Sequence, residues 1–208
     1  ISLVKGLERS GMEVIALCNF KKIEMEDLKN SNIDVVPFVI NGEINPVQDL
    51  VSIVKLVNLL YKKNIDVIHC HGFKAGLIGR LAGWITGCSC VYTVHNFLPD
   101  YTSKIKKFGA VKLERILALN TYTIITVSEA LKNYEKKILN ISEDRIKVVY
   151  NGIQMSKLQY NCIDVKGKWG VGKNDILVGT AARLIYSKGI DFLIKAIPEV
   201  LSKCNNVK

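Results

Sequence analysis

Arg183 and Lys188 stand close together on a loop between the apolar run 176–181 and a helical pattern that opens at Gly189-Ile190. Two cations beside a helix N-terminus suit a diphosphate, because the helix dipole and the free N–H groups add to their attraction. Arg can grip two phosphate oxygens at once, while Lys acts as a point charge. The competing reading is a solvated surface pair. His95 closes another apolar run and is followed by Asn96. An imidazole there can hydrogen-bond a hydroxyl or move a proton near neutral pH. Its competitor is a structural histidine bonded to a loop carbonyl. His69 and His71 flank Cys70, so both point to one face of a strand. With His95 nearby a metal site is a further reading. Zinc needs a more regular ligand set and a fourth ligand, so no metal is expected. His69 reads as buried and satisfied, and His71 as closer to a cleft.

Gly72, Gly76, Gly79 and Gly83 stud one helix and its entry. No Lys-Ser or Lys-Thr follows and GxGxxG is absent, so close packing of that helix on a sheet is the expectation rather than a phosphate loop. Cys88-Ser89-Cys90 reads as an incidental CxC at a strand entrance rather than a redox pair.

These residues need elements to position them. The opening segment 1–9 places Leu3, Val4 and Leu7 on one helical face, and Ser10-Gly11 stops it. Short apolar runs at 14–17, 35–39, 67–71, 91–95, 123–127, 146–150 and 176–181 read as strands. Pro37 demotes the second towards an edge. Helical patterns occupy the stretch after Asn45-Pro46, then 75–84 and 111–119. Ser128 caps the next helix. Ile190, Leu193, Ile194 and Ile197 form the last, which Pro198 should kink or shorten. Apolar strands alternating with amphipathic helices predict an α/β fold, a doubly wound parallel sheet covered on both faces. Residues 151–175 break the rhythm and read as an interdomain connection, with a short helix at 165–169. The expectation is one Rossmann-like domain over 1–152, the connection over 153–175, and the start of a second Rossmann-like domain over 176–208.

In such sheets ligands bind beyond the carboxyl ends of the strands. That rule collects His71-Gly72, His95-Asn96, Ser128-Glu129, Asn151-Gly152 and the Arg183–Lys188 loop.

Bulk properties narrow the partners. The chain has 208 residues, and 49% of them are hydrophobic, enough to build a core. Its net charge of +10 restricts partners to nucleic acid, anionic lipid or phosphorylated small molecules, unless it is only a solvated lysine surface. Nucleic acid is not expected, because no helix-turn-helix, zinc finger or aromatic-basic strand signature occurs. No apolar stretch reaches the roughly 18 residues that a membrane-spanning helix needs; the best candidate, 75–90, is interrupted by Arg80. No signal peptide or CxxC is visible, so the six cysteines read mostly as small buried hydrophobes in a reducing, cytoplasmic setting.

Several of these segments carry a family resemblance. Asp66-Val67-Ile68-His69-Cys70-His71-Gly72 resembles the Asp-Val-Ile-His-x-His segment of group 1 (family four) glycosyltransferases. Val91-Tyr92-Thr93-Val94-His95-Asn96 is similar to their Thr-x-His-Asn/Asp strand end, and Ile125-Thr126-Val127-Ser128-Glu129-Ala130 to a strand-to-helix turn. Val148-Val149-Tyr150-Asn151-Gly152-Ile153 and Ala182-Arg183-Leu184 with Ser187-Lys188-Gly189-Ile190-Asp191 match two further motifs. The resemblance covers essentially the whole chain, with five motifs in the family's order.

It implies the GT-B fold, in which two Rossmann-like domains face each other across a cleft. The amino-terminal one mainly holds the acceptor, and the other the nucleotide-sugar donor. It implies a retaining glycosyltransferase of hexosyltransferase type, acting on a glycan or lipid-linked acceptor in surface polysaccharide or glycolipid synthesis, with no cofactor or metal. By resemblance Arg183 and Lys188 neutralise the donor diphosphate and His95 lies near the transferred sugar. His71, Gly72, Asn96, Ser128, Asn151 and Gly152 are the other candidate substrate contacts. The family's first strand and Gly-rich loop belong upstream of the opening helix, and its paired glutamates belong beyond Lys208. The expectation is therefore a fragment that does not turn over alone. A cytoplasmic location is expected, with peripheral contact on the inner face of a membrane through the run Lys104-Ile105-Lys106-Lys107-Phe108. Two other functions compete: a sugar-nucleotide epimerase of the same fold, and a non-catalytic basic module that docks on a membrane or partner.

Overall fold

The computed structural model describes residues 2–18, 28, 33–40, 45–98, 104–153, 155 and 164–208; for Lys106 and Ser187 it describes the backbone. Cys162, and residues 156–163 of the expected connection, lie outside these. The chain divides into two compact units, Ile1–Gln154 and Met155–Lys208.

The first unit opens with helix α1 (Ser2–Arg9), which ends where Gly11 takes a left-handed φ of 83°. Strands β1 (Ile15–Cys18) and β2 (Asp34–Pro37) pair in parallel. Pro37 has no N–H to give and ends its strand, and the N–H of Phe38 reaches the Cys18 carbonyl at 3.2 Å. Helix α2 (Pro46–Lys62) starts as expected. The Asn45 side chain accepts the Gln48 N–H at 3.2 Å, the Asp49 carboxylate accepts the Asn45 N–H at 3.2 Å, and proline fills the first helical position.

Four further strands form a second parallel ladder: β3 (Val67–His71), β4 (Ser89–Val94), β5 (Thr123–Thr126) and β6 (Ile146–Val148), in that spatial order. Helices α3 (Phe73–Thr86), α4 (Lys104–Leu119) and α5 (Glu129–Leu139) connect them in turn. Among the described residues no backbone ladder joins β1–β2 to β3–β6, so the single expected sheet is observed as two. Side chains tie them together. Leu56 and Leu60 of α2 and Ile78 and Ala82 of α3 form one buried cluster, against which Leu17, Phe38 and Ile68 pack. A second cluster joins Cys70, Cys90, Tyr92, Val94 and Ile124 of the strands to Ala118 of α4 and Leu131 and Leu139 of α5.

The glycines of α3 do serve close packing. A Cβ on Gly79 would lie 2.2 Å from the Cys70 sulfur, and one on Gly76 would lie 2.3 Å from the Tyr92 ring. This approach also internalises Arg80, which is only 1% exposed. Its Nη2 donates to both Glu114 oxygens at 2.8 and 2.9 Å, and its Nε donates to the Gly76 carbonyl at 2.9 Å. The guanidinium carbon lies 4.0 Å from the centre of the Tyr92 ring. The residue that interrupts the apolar run is thus a buried ion-pair partner. Cys70 and Cys90 are buried, but Cys88 is half-buried and Cys18 and Cys204 are exposed, so burial explains only two of the five described cysteines.

The second unit departs further from expectation. Helix α6 (Val165–Lys168) forms, capped by the Asp164 side chain, which accepts the Gly167 N–H at 2.8 Å. The run 176–181 is not a strand. Ile176 makes one isolated parallel bridge to Val207, and Val178 N–H reaches the Lys208 carbonyl at 2.9 Å. A buried strand needs a ladder along its flank, and among the described residues this run bonds to Asn206, Val207 and Lys208 alone, with the Ile176 N–H on the Asn206 carbonyl at 2.6 Å. Helix α7 (Ile190–Lys203) continues past Pro198, so the proline does not shorten it. None of the described residues of this unit is buried. No helix among the described residues of either unit is long and apolar enough to cross a membrane.

Candidate functional site

Strands β3 to β6 all run in one direction, so their carboxyl ends share one edge. His71 is the last residue of β3 and Gly72 follows it. Val94 ends β4, and His95 and Asn96 lie just beyond, both exposed. Ser128 follows β5, and Asn151 and Gly152 lie a few residues past β6, also exposed. Every candidate in the first unit therefore lies on this edge, as the strand-end rule requires.

Local geometry sorts them. Gly72 adopts φ 78°, ψ 167°, a region that side chains disfavour. This conformation lets its N–H continue the ladder to the Thr93 carbonyl at 3.0 Å while its own carbonyl accepts the Gly76 N–H at 2.8 Å and starts α3. The Ser128 hydroxyl caps α5, accepting the Leu131 N–H at 3.2 Å, so its oxygen already has a structural role.

The three histidines stand together. The rings of His69 and His71 have centroids 4.3 Å apart, and those of His71 and His95 meet edge to edge, with centroids 5.4 Å apart and planes inclined by 26°. His69 Nε2 bonds the buried Thr93 hydroxyl at 2.7 Å. His71 Nδ1 and His95 Nε2 share a hydrogen bond of 3.1 Å. Burial, then repulsion from His69 and His95, pushes the His71 imidazole down to about 4. Burial, then His95, also pushes His69 below the usual histidine value. Both rings are therefore neutral at pH 7. Among the described residues no group of three or more His, Cys, Asp or Glu side chains is arranged to hold a metal ion.

Sequence reasoning placed His69 and His71 on one face, with His95 nearby, but missed their bonds. The His71–His95 contact and the Thr93 partner cross between strands 24 positions apart. Their only sequence signal is register: His71 pairs opposite Thr93, two residues before His95. Phe97 was also missed; its ring meets Tyr134 of α5 edge-on, with centroids 4.9 Å apart.

Arg183 and Lys188 belong to the second unit and are exposed. A 3-10 turn over Tyr186–Lys188 leads to Gly189 at φ 65°, and α7 begins there without a side-chain cap. Lys188 thus adjoins a helix N-terminus, and Arg183 precedes it in the same loop. Asp191 in the first turn of α7 opposes them, with Lys195 3.8 Å from its carboxylate. On α4, Ile105 and Phe108 of the Lys-rich run are exposed.

Comparison with known proteins agrees with this layout. A model of glycosyltransferase family 4 matches residues 1–157. CapM, a capsular polysaccharide biosynthesis glycosyltransferase of Staphylococcus aureus, is 30% identical, over all of this chain and 57% of its own length. An Escherichia coli UDP-Gal:α-D-GlcNAc-diphosphoundecaprenol α-1,3-galactosyltransferase is 32% identical, over 68% of this chain and 38% of its own. Among solved structures, Anabaena Alr3699/HepE in complex with UDP and glucose superposes with a TM-score of 0.72 at 21% identity, covering 99% of this chain and 55% of that one. The chain belongs to glycosyltransferase family 4, and its fold is the Rossmann-like α/β arrangement of GT-B glycosyltransferases. It spans about half the length of the curated relatives it matches.

Proposed function

We propose that this chain is part of a glycosyltransferase that moves a sugar from a nucleotide-sugar donor to a glycan or lipid-linked acceptor, in surface polysaccharide or glycolipid synthesis. The observation that carries the reading is the shared carboxyl edge of β3 to β6, where His71, Gly72, His95 and Asn96 stand together in a family 4 chain. Two relatives support the pathway class: CapM by its capsular role, and the E. coli enzyme by its diphosphoundecaprenol acceptor. HepE, bound to UDP and glucose, supports a nucleotide-sugar donor.

In this reading the first unit meets the acceptor and the second begins the donor site. His95 lies beside the transferred sugar, and Asn96, Asn151 and Gly152 offer polar contacts along the same edge. Arg183 and Lys188 take the diphosphate. Charge grows on that leaving group as the glycosidic bond breaks, and fixed cations lower the barrier most at that moment. Configuration is retained, no metal takes part, and the 208 residues alone do not turn over.

Calorimetry on the protein at its full natural length, with a panel of UDP-, GDP- and ADP-sugars, tests the proposal. One nucleotide class should bind. Arg183→Ala and Lys188→Ala should each weaken it roughly tenfold to a hundredfold, the range for charge-assisted hydrogen bonds. No binding across the panel would reject the transferase reading. Conversion of donor without acceptor would make the protein an epimerase.

A further inference from the structure

The hydrogen bond between His71 Nδ1 and His95 Nε2, 3.1 Å long, occupies one of the two ring nitrogens of the candidate catalytic histidine. Among the described residues, Nδ1 of His95 has no hydrogen-bond partner. We propose that His71 is a positioning residue: its Nδ1 accepts from His95 Nε2–H, which fixes the His95 tautomer and presents His95 Nδ1 as the nitrogen that receives a sugar hydroxyl.

The direction of the bond follows from proton accounting. A neutral imidazole has one donor and one acceptor nitrogen, while an imidazolium has two donors. If His95 takes up a proton, its Nε2 can only donate, so His71 Nδ1 must accept. An accepting His71 therefore serves both states of His95, and no ring has to turn when the proton moves. The proton enters and leaves at His95 Nδ1, and the bond to His71 stays intact. The opposite arrangement would break each time His95 became charged. His71 suits the acceptor role because it is held uncharged by its surroundings and by His69, whose ring lies 4.3 Å away.

Local structure holds the pair in place. His71 sits within the ladder, opposite Thr93, and its neighbour Gly72 donates to the Thr93 carbonyl at 3.0 Å. On the other side of the pair, His69 is anchored to the Thr93 hydroxyl at 2.7 Å. A ring on a strand clamps a ring at a strand end, as a partner group orients a catalytic imidazole elsewhere. The substrate named here rests on the proposed function; the pair itself rests on geometry alone.

The test is NMR of isotope-labelled histidine ring nitrogens in the whole protein, with kinetics beside it. In the unmodified protein His95 should carry its neutral-state proton on Nε2. His71→Asn keeps an acceptor near the position of Nδ1 and should preserve that tautomer. His71→Leu has none and should give a mixture of tautomers. In turnover, His71→Leu should lower kcat about tenfold, less than the roughly hundredfold or more that loss of an acid–base group itself costs, with KM little changed. His71→Asn should recover most of it. A His95 proton on Nδ1 in the unmodified protein would overturn the inference, and that measurement needs no variant to fold. So would a His95 tautomer indifferent to His71→Leu. Tautomers as expected in a protein that binds no donor would uphold the pair and reject the transferase function.

Discussion

The two units obey the same sequence grammar and fold differently. In the first, apolar runs become strands and the amphipathic helices bury their faces, with Ile78, Ala82, Leu117 and Ile124 almost wholly sealed. In the second, the run 176–181 makes one bridge, and Phe192, Leu193, Ile194 and Ile197 of α7 are all exposed. Pattern specifies what an element is ready to bury, and burial happens only where another element arrives to complete it. The first unit shows how far completion goes: it seals even the Arg80–Glu114 ion pair.

That pair is the place to break the contrast. Arg80→Met leaves Glu114 buried without its cation and should cost the first unit about 3–5 kcal/mol. Chemical denaturation followed by fluorescence would record it, and an unchanged midpoint would mean that the carboxylate reaches water. A gentler change sharpens the contrast through pH. Glu135 is buried beside this pair, and burial, then Glu114, raises its carboxyl to about 7 while Arg80 pulls the other way. The folded protein holds that proton longer than the unfolded chain does. Its stabilising share is full below the unfolded value near 4.5 and is lost as pH rises to about 7. Glu135→Gln should match the unmodified protein at pH 4 and exceed it by roughly 3 kcal/mol at pH 8. Parallel stability curves would count against the buried proton. At the small end, Leu193→Ser on the open face of α7 should change the stability of this chain by less than about 0.5 kcal/mol. A larger loss would show that the second unit buries that face.

Much of the site was readable because its rules are local. Asn45-Pro46, Ser128 and the strand-end histidines announce themselves by type and position. The stacked glycines of α3 also yielded to reasoning, since a helix dense in glycine has few uses apart from close approach. Arg80 did not yield. A cation in an apolar run looks like an interruption until its partner is found 34 positions away. The His71–His95 bond was hidden for the same reason, because register across a ladder is a property of the assembled sheet. The strand expected at 176–181 failed in the opposite sense: its own residues suit a strand, but among the described residues it finds one bridge and no flanking ladder.

The shared edge of β3 to β6 has a consequence for how such a protein can change. The residues that hold the sheet together point into the clusters below, whereas those that would meet a substrate follow the last ladder bond. Selection can therefore rewrite the tip after Val148 with little change to the core, whereas the tips after Val94 and Thr126 are tied down by the His71–His95 bond, the Phe97–Tyr134 contact and the Ser128 cap. A family built this way can vary the contacts made at such a tip by small edits and keep most of its stability.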